Sequence, residues 1–503
     1  MPGSVTVAGS MKLFTSRLSV SLISLAFYGI AAHVVPKAEL APLAAMAIIA
    51  ELFRVTQSLG MTPTMLRDVP EHVALAKTED AAALVRSTLL YTTLASLVLL
   101  AVVWFLRVLI FSAGLLGPTV LIILAFSLLM ACYDALQVAF LSLQWFGRQS
   151  LAYFITMAGQ RLLALALLLK FGITGCLMGF LIGSAAGVIV SLFWARRYVF
   201  GGGRLISFPR LLVYSLPYYV QGFARYVFQE GDQLLVGIFF PPELLVSFFM
   251  AKRIVHGIRM MIDAATDALR PKMGELRALG EEAVRKGFSK SSRFLSYLAL
   301  PVTLGVAAIS RPLMLAYAGP QYADAGSILL VLSFAMAAYA YFSLYEVNIY
   351  MLGRPAQRLY VDLFAGGAML GCFLVLATSF AGLGVALAEL VGFGAGLIFS
   401  AWLFRRISDA RLDRNSLSRC VIASGAMFVI VGGASHWLQQ SCFLPVLIIS
   451  GGVIFVLIFT RLSRKSDMDE IRDALPKPFG WCVSALERLG GIKAETGPNG
   501  GTP

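Results

Sequence analysis

Long apolar stretches recur along the whole chain, and they restrict its fold more than any other feature of the sequence. An α-helix that crosses a bilayer needs about 20 mostly apolar residues. Fourteen segments meet or approach this length, and short connections separate them. We number them spans 1 to 14, near residues 14–35, 40–62, 84–110, 116–142, 150–170, 172–195, 209–240, 243–268, 291–313, 325–351, 356–380, 382–404, 417–438 and 442–461. The sequence therefore predicts an all-α polytopic membrane protein with about fourteen transmembrane helices.

The composition agrees with this class. Hydrophobic residues make up 58% of the chain and charged residues 14%, whereas a soluble protein has about 45–50% and about 25%. The net charge of +14 would suggest a nucleic-acid partner for a soluble protein, but positive cytoplasmic loops explain it here. The six cysteines and four histidines are scattered without metal-ligand spacing. We therefore expect no nucleic-acid partner, no metal and no cofactor.

Lysine and arginine residues predict the orientation of the spans. With the N-terminus in the cytoplasm, 31 of them fall on inner flanks, inner loops and the C-terminal tail. The outer flanks hold only four, Lys37, Arg107, Lys170 and Arg311. Cytoplasmic loops of membrane proteins carry such an excess, so both termini are predicted to be cytoplasmic.

An internal repeat predicts the architecture. Residues 175–197, GCLMGFLIGSAAGVIVSLFWARR, and residues 384–406, GVALAELVGFGAGLIFSAWLFRR, are identical at nine of 23 positions with an offset of 209. Two shorter matches have offsets of 205 and 206. Because this offset covers six helices, an even number, the two halves have the same orientation and the repeat is parallel.

The repeat divides the chain into predicted segments. They are a disordered N-terminus (1–11), an N-lobe of spans 1–6 (12–200), a C-lobe of spans 7–12 (205–408), spans 13 and 14 (415–461), and a cytoplasmic amphipathic or disordered tail (462–503). Within the two lobes, Gly183-x-x-x-Gly187 and Gly392-x-x-x-Gly396 favour close helix contact.

Span 8 carries an ionisable face. Its members recur every three or four residues and are Lys252, His256, Arg259, Asp263, Asp267 and Arg270. A charged side chain at the centre of a membrane helix costs about 2.5–3.5 kcal/mol, and a Leu returns only about 0.3–0.6 kcal/mol. This face therefore cannot lie against lipid, and we expect it to face a wet cavity or other protein groups.

Other spans carry polar residues near mid-depth. With span 8 included, the cations near mid-depth are Arg54, Arg161, Arg225, Lys252, Arg253 and Arg259. The carboxylates are Glu51, Asp134, Glu230, Asp232 and Asp263, with Glu346 on span 10. We expect a cavity of mixed charge with a cationic patch on span 8. Glu51 with Arg54, and Arg259 with Asp263, have the spacing at which two charges on one helix neutralise each other. Arg161 could instead bond to a backbone carbonyl, and these alternatives stay open.

Three stretches of the sequence resemble a known family. The stretch GDQLLVGIFFPPELLVSFFMAKRI matches an Asp-x-Leu-Leu-Leu-Gly pattern through Asp232, Leu234, Leu235 and Gly237, although the Gly-Tyr that follows it in the family is replaced by Ser247-Phe248 nearby. The stretches MLGRPAQRLYVDL and AGLGVALAELVG add weaker matches. Over roughly residues 12–461, the chain resembles a polysaccharide flippase of the multidrug/oligosaccharidyl-lipid/polysaccharide exporter superfamily, which includes O-antigen lipid flippases.

The resemblance implies a function. Such proteins have two six-helix lobes in a V shape and move undecaprenyl-pyrophosphate-linked oligosaccharides from the cytoplasmic to the periplasmic leaflet of the bacterial inner membrane, for O-antigen or exopolysaccharide export. They are not enzymes. The implied partners are the lipid-linked oligosaccharide, membrane lipids, and the polysaccharide polymerase and chain-length machinery.

The cations and carboxylates receive hypothetical roles on this basis. Arg259, Arg54 and Arg225 would hold the pyrophosphate, with Lys252, Arg253 and Arg161 as second choices, and His256 lies in the same cationic set. The carboxylates would bind a coupling H⁺ or Na⁺, or would only balance the arginines. They are Asp134, Glu230, Asp232, Asp263 and Glu346.

Three other functions remain as alternatives. A peptidoglycan-precursor (lipid II) flippase would share the fold, the topology and the cationic cavity. A cation-coupled multidrug antiporter of the same superfamily usually has twelve helices and an acidic cavity, which fits this chain less well. A membrane enzyme would need catalytic residues in a sizeable loop, and the longest loops are under 25 residues.

Overall fold

Helices are the only regular secondary structure in the part of the chain that the structure describes. The structure is a computed structural model, and it describes residues 2–75, 77–105, 118–201, 204–267, 269–353, 355–438 and 443–462. We name its α-helices α1 (Pro2–Val34), α2 (Ala41–Gln57), α3 (Met61–Ala74), α4 (Thr78–Phe105), α5 (Pro118–Ser142), α6 (Phe146–Val199), α7 (Phe208–Phe239), α8 (Pro242–Asp267), α9 (Leu269–Ala278), α10 (Glu281–Ala308), α11 (Ser310–Ala318), α12 (Ala325–Leu352), α13 (Pro355–Phe404), α14 (Arg414–Trp437) and α15 (Leu444–Leu462). The predicted all-α fold is confirmed.

The fourteen predicted spans each coincide with a helical segment when the two halves of α6 and of α13 are counted separately. By length and composition, eight of the described helices could cross a membrane, or nine if α10 and α11, bent by 74°, form one broken span. Among the predicted spans, α2 with 17 residues falls short, as do α7 and α8, which carry charged residues along their length. The polytopic membrane class is thus confirmed.

The first helix begins earlier in the chain than the sequence predicted. Helix α1 begins at Pro2 and includes residues that the sequence assigned to a disordered N-terminus (1–11). Proline favours the first helical position, because its missing N–H is not needed there, and no further proline interrupts the helix before Val34. The predicted tail, 462–503, lies outside the described residues except for Leu462.

The two longest helices are each broken once. Gly172 in α6 has φ 66° and ψ −154°, and Ala381 in α13 has φ 48° and ψ −127°. Both angles are non-helical, so each helix is a pair of spans joined at a sharp break. Positions 172 and 381 are 209 residues apart, which is the offset of the sequence repeat. The backbone therefore repeats at the positions where the sequence repeats.

Two compact units divide the chain, one up to Arg253 and the other from Ile254 onward. In the first unit, α1 and α5 pack on α6, and α2 packs on α5 and α7. In the second unit, α12 packs along α13, and α10 packs on α12 and α14. The division falls inside α8 and not at the predicted lobe boundary, 200–205, so α7 belongs to the first unit. The two six-helix lobes stay a prediction.

Small residues allow close helix contact, as the sequence indicated. A Cβ atom on Gly183 would lie 2.8 Å from the Cα of Gln160, and one on Gly187 would collide with the side chain of Thr156. In the second unit, a Cβ on Gly396 would lie 2.9 Å from the ring of Phe342. Side chains at these glycines would push neighbouring helices apart.

The corner between α2 and α3 rests on α7. Leu59 and Gly60 have φ of 44° and 73°, and a Cβ on Gly60 would collide with the carbonyl oxygen of Ser215. Thr64 Oγ1 and Ser215 Oγ are 3.0 Å apart, and both side chains are buried. Arg67 Nη1 also donates to the Tyr218 hydroxyl at 2.8 Å. These contacts attach α7 to the first unit.

Candidate functional site

The predicted cations differ in whether a carboxylate neutralises them. Arg54 on α2 donates from Nε to Glu51 Oε2 at 2.9 Å, and its side chain is 47% exposed. Asp134 on α5 and Glu230 on α7 are further electrostatic neighbours of Arg54. We call Glu51, Arg54, Asp134 and Glu230 the α2 cluster. The ion pair between Glu51 and Arg54, which the sequence left open, is therefore formed. Arg54 is the single cation of this cluster, and the other three members are carboxylates.

Lys252 and Asp232 form an ion pair between α8 and α7. Lys252 Nζ lies 2.8 Å from Asp232 Oδ2, and the two side chains are only 8% and 2% exposed. The other oxygen, Asp232 Oδ1, accepts a hydrogen bond from the backbone N–H of Gln233 at 2.8 Å. A buried ion pair is held strongly once formed, because removing either partner leaves the other charge uncompensated. Lys252 is thus neutralised by Asp232.

Two hydrogen bonds join polar side chains along α7. Arg225 donates from Nε to Gln229 Oε1 at 3.1 Å, and Gln233 Nε2 donates to Glu230 Oε2 at 2.9 Å. His256 is exposed.

In the second unit, Arg259 has a carboxylate neighbour on its own helix. Its Nε lies 3.8 Å from Asp263 Oδ2. The ion pair between Arg259 and Asp263, which the sequence left open, is therefore also formed, with a long distance between the two atoms. The Tyr339 hydroxyl donates to Asp263 Oδ1 at 2.6 Å, and the Arg259 guanidinium lies 5.2 Å from the centre of the Tyr339 ring. Arg259, Asp263 and Tyr339 therefore form one contact group between α8 and α12.

Glu346 on α12 pairs with Arg358, a residue that the sequence analysis did not single out. Arg358 donates from Nε to Glu346, and both side chains are largely buried. Arg358 lies near the predicted cytoplasmic end of span 11, where a lysine or arginine is ordinary. Helix α12 packs along α13, which brings the two residues together, and spacing along one helix could not reveal that contact.

Arg253 and Arg161 have no carboxylate partner in the described chain. The guanidinium of Arg253 lies 4.2 Å from the centre of the Phe249 ring and 5.0 Å from that of Tyr28. Its Nε is buried without a hydrogen bond to any described residue. Arginine stacks well on aromatic faces, but such contacts do not neutralise its charge.

Arg161 is held by neutral groups. Its Nη1 donates to the Met157 carbonyl at 2.8 Å and to Gln160 Oε1 at 3.3 Å, and its Nε is also buried without a hydrogen bond to the described residues. Arg253 is an electrostatic neighbour of Arg161. We call Arg161 and Arg253 the arginine pair. Two like charges near each other in a weakly polar surrounding are stabilised by an anion between them.

Aromatic rings surround the arginine pair. Tyr28 on α1 packs edge-on against Phe249, with ring centres 5.4 Å apart, and Phe180 lies 6.0 Å from the Arg161 guanidinium. Tyr28 lies on α1 and Phe249 on α8, and spacing along one helix could not reveal a contact between segments so far apart in sequence. The described residues include no cluster of three or more His, Cys, Asp or Glu that could hold a metal ion.

Comparisons with known proteins give a sequence family and a structural fold. A family model described as "Polysaccharide biosynthesis protein" matches residues 31–327. The solved structure of "Lipid II flippase MurJ, inward closed conformation" is similar with a TM-score of 0.70 and 14% identity, covering 90% of this chain and 98% of that one. A search of curated protein sequences found no match.

Multidrug transporters share the fold as well. The structure described as "Inward-facing conformation of a multidrug resistance MATE family transporter of the MOP superfamily" has a TM-score of 0.62 and 16% identity, covering 78% of this chain and 98% of that one. A mutant of the Vibrio cholerae MATE transporter VcmN has a TM-score of 0.57 and 16% identity, covering 80% and 98%. At such identities the likeness concerns the fold alone.

Proposed function

This chain belongs to the polysaccharide biosynthesis protein family, within the multidrug/oligosaccharidyl-lipid/polysaccharide exporter superfamily, and on that premise we propose that it moves an undecaprenyl-pyrophosphate-linked oligosaccharide across a bacterial inner membrane. Transport runs from the cytoplasmic to the periplasmic leaflet, with both termini in the cytoplasm. The cargo serves polysaccharide export, and a polymerase with its chain-length machinery receives it. The protein acts as a transporter and not as an enzyme.

The arginine pair is the observation that supports this proposal most directly. Four of the other cations have a carboxylate close by: Arg54, Lys252, Arg259 and Arg358. Arg161 and Arg253 have neutral and aromatic neighbours instead. A cation in a membrane protein without an anionic partner is costly, and such residues mark ion and substrate pathways. The arginine pair therefore replaces Arg259, Arg54 and Arg225 as the first choice for the pyrophosphate contact.

The chemistry of the cargo matches this pair. A pyrophosphate that leaves water loses its hydration, and guanidinium groups replace it with charge-assisted hydrogen bonds that are often bidentate. Tyr28, whose ring lies against Arg253, carries a hydroxyl suited to a phosphate or sugar oxygen. The polyprenyl tail stays in the bilayer, so only the polar head enters the protein. Alternating access would then carry the head from one face to the other.

Binding of a fluorescent polyprenyl pyrophosphate to the detergent-solubilised protein tests the assignment. We expect Arg161→Ala and Arg253→Ala each to weaken binding about tenfold or more, because each removes charge-assisted hydrogen bonds worth about 1.5–3 kcal/mol. The Lys variants should weaken it less. The matched control is Lys286→Ala, an exposed cation that pairs with Glu282 on the same helix and should bind as the wild type does. Unchanged affinity in both Ala variants would contradict the proposal.

The two transport alternatives are outcomes of the same assay. A peptidoglycan precursor also carries a pyrophosphate, so the arginine pair suits it equally, and competition between the two lipids separates these substrates. A multidrug antiporter would bind organic cations, which two guanidinium groups without a carboxylate partner among the described residues would repel. Displacement of the fluorescent lipid by an organic cation would therefore argue for the antiporter.

A further inference from the structure

Spans 6 and 12, the second halves of α6 and α13, have exposed faces that carry the same kinds of residue at equivalent positions. Each face has exposed apolar side chains along the helix and two arginines at or just after the end of the helix. The equivalent exposed residues, 209 positions apart, are Ile189 and Ile398, Phe193 and Trp402, Arg196 and Arg405, and Arg197 and Arg406. Gly187 and Gly396 lie on the buried faces of the same helices. In each unit the exposed face therefore lies against lipid.

One arginine of each face lies over the aromatic ring of that face. The Arg196 guanidinium is 4.6 Å from the centre of the Phe193 ring, and the Arg406 guanidinium is 4.0 Å from that of the Trp402 ring. An excess of cations on the cytoplasmic side requires charge but no such position over a ring. We call Phe193, Arg196 and Arg197 the Phe193 site, and we call Trp402, Arg405 and Arg406 the Trp402 site.

The arginines of both sites keep their charge available to a ligand. All four are exposed, and none forms an ion pair or a side-chain hydrogen bond with a described residue. An aromatic ring attracts a guanidinium without neutralising it. The N–H groups of the guanidinium stay available, and their spacing matches two oxygens of one phosphate group. Each site therefore suits an anionic phosphate.

The Trp402 site lies at the depth of the lipid head groups. Its ring stacks on Phe399, with ring centres 5.5 Å apart, and Phe399 stacks on Phe364 of the other half of α13 at 4.7 Å. Tryptophan favours the level of the head groups, where its apolar body meets lipid and its N–H meets a polar group. By the predicted orientation this is the cytoplasmic leaflet. The site thus has its cations where a phospholipid has its phosphate.

We propose that the Phe193 site and the Trp402 site each bind an anionic phospholipid of the cytoplasmic leaflet. The phosphate lies on the arginine above the ring, and an acyl chain follows the exposed apolar residues of the same face. A zwitterionic lipid also carries a phosphate, but its own ammonium group compensates that charge, so the arginines attract it less. This binding does not depend on the cargo proposed above.

Quenching of tryptophan fluorescence by brominated lipids tests the Trp402 site. The other five of the six tryptophans are replaced by phenylalanine, so that only Trp402 emits; they are Trp104, Trp145, Trp194, Trp437 and Trp481. The protein is placed in phosphatidylcholine vesicles that contain brominated phosphatidylglycerol or brominated phosphatidylcholine. We expect a preference for phosphatidylglycerol of about fivefold or more, as one cation near an anionic membrane surface gives. Equal quenching by the two lipids would overturn the site.

Three variants separate a phosphate site from a general attraction. Arg405→Gln with Arg406→Gln should reduce the preference to about one. Arg406→Lys should lower it in part, because an ammonium keeps the charge but not the paired donors. The control is Arg461→Gln on α15, an exposed arginine with no aromatic ring beneath it among the described residues, and the preference should persist. Full preference in Arg406→Lys, or an equal loss in Arg461→Gln, would show that charge alone matters and would overturn the site.

Native mass spectrometry tests both sites with all tryptophans in place. The wild-type protein, released from detergent that contains equal amounts of the two lipids, should retain more phosphatidylglycerol than phosphatidylcholine. Arg196→Gln with Arg197→Gln, and Arg405→Gln with Arg406→Gln, should each retain one phosphatidylglycerol molecule fewer than the wild type. Unchanged retention in either double variant would overturn the site that it alters, whatever cargo the protein moves.

Discussion

Single backbone positions decide where the two longest helices break. Both Gly172 and Ala381 have positive φ, but only glycine adopts such a conformation without strain. No side chain or backbone atom lies within 4 Å of a Cβ added at Gly172, so a substitution there acts through the backbone alone. The equivalent positions of the two repeats thus carry a relaxed residue in one case and a strained residue in the other.

Opposite substitutions at these two positions should have opposite effects. We expect Gly172→Ala to lower the free energy of unfolding by about 1–3 kcal/mol, since alanine is strained at this φ and ψ. Ala381→Gly should raise it by at most about 1 kcal/mol, because relief of strain is partly offset by the greater freedom of glycine in the unfolded chain. Thermal unfolding in detergent, followed by intrinsic fluorescence, measures both changes.

Gly222 provides the matched control for this comparison. It lies inside α7 with an ordinary helical conformation, is exposed, and has no atom within 4 Å of an added Cβ. Gly222→Ala should stabilise the protein slightly, because alanine favours a helix more than glycine does. Equal effects of Gly172→Ala and Gly222→Ala would show that the break at residue 172 does not require glycine.

Among helices, the contact of the α2–α3 corner with α7 has the clearest consequence for transport. It joins residues about 150 positions apart in sequence through Thr64–Ser215 and Arg67–Tyr218. Pro217 lies between the two contact residues on α7, and a proline inside a helix removes a backbone hydrogen bond and permits bending. By the predicted orientation this contact lies on the cytoplasmic side. Alternating access would require it to open.

A disulfide across this contact should stop transport. In a variant without the native cysteines, Thr64→Cys with Ser215→Cys should form a disulfide on oxidation, because the native hydroxyl oxygens are 3.0 Å apart. The oxidised protein should move fluorescent polyprenyl pyrophosphate at a rate reduced at least tenfold, since the helices cannot separate. Reduction with dithiothreitol should restore the rate.

The single-cysteine variant Thr64→Cys controls for the substitution itself and should be insensitive to oxidation. Cleavage at a protease site placed in the loop between α6 and α7 would verify that the disulfide has formed, because the two fragments then stay together until reduction. Full transport by the verified cross-linked protein would mean that this contact does not open in the cycle.

For the molecule as a whole, the distribution of lysine and arginine predicts one orientation. The exposed residues Ala38, between α1 and α2, and Leu279, between α9 and α10, should lie on opposite sides of the membrane. In a cysteine-free variant, Ala38→Cys should react with a membrane-impermeant maleimide added to intact spheroplasts. Leu279→Cys should react only after lysis. The reverse pattern would place both termini in the periplasm and would contradict the predicted direction of transport.

The sequence alone determined the features that depend on nearby residues. The spans follow from runs of apolar residues. Spacing along one helix placed Glu51 within reach of Arg54 and Arg259 within reach of Asp263, and the structure then showed that both pairs form. The two backbone breaks lie at positions that the repeat offset makes equivalent.

Tertiary packing alone decided which charges are compensated by a residue of another helix. Lys252 meets Asp232, whereas Arg253, the next residue, meets Tyr28 of a distant helix and no described carboxylate. A one-residue step rotates a side chain by about 100° around a helix, so adjacent cations face different neighbours. Those neighbours come from segments far apart in sequence, and only their packing brings them into contact.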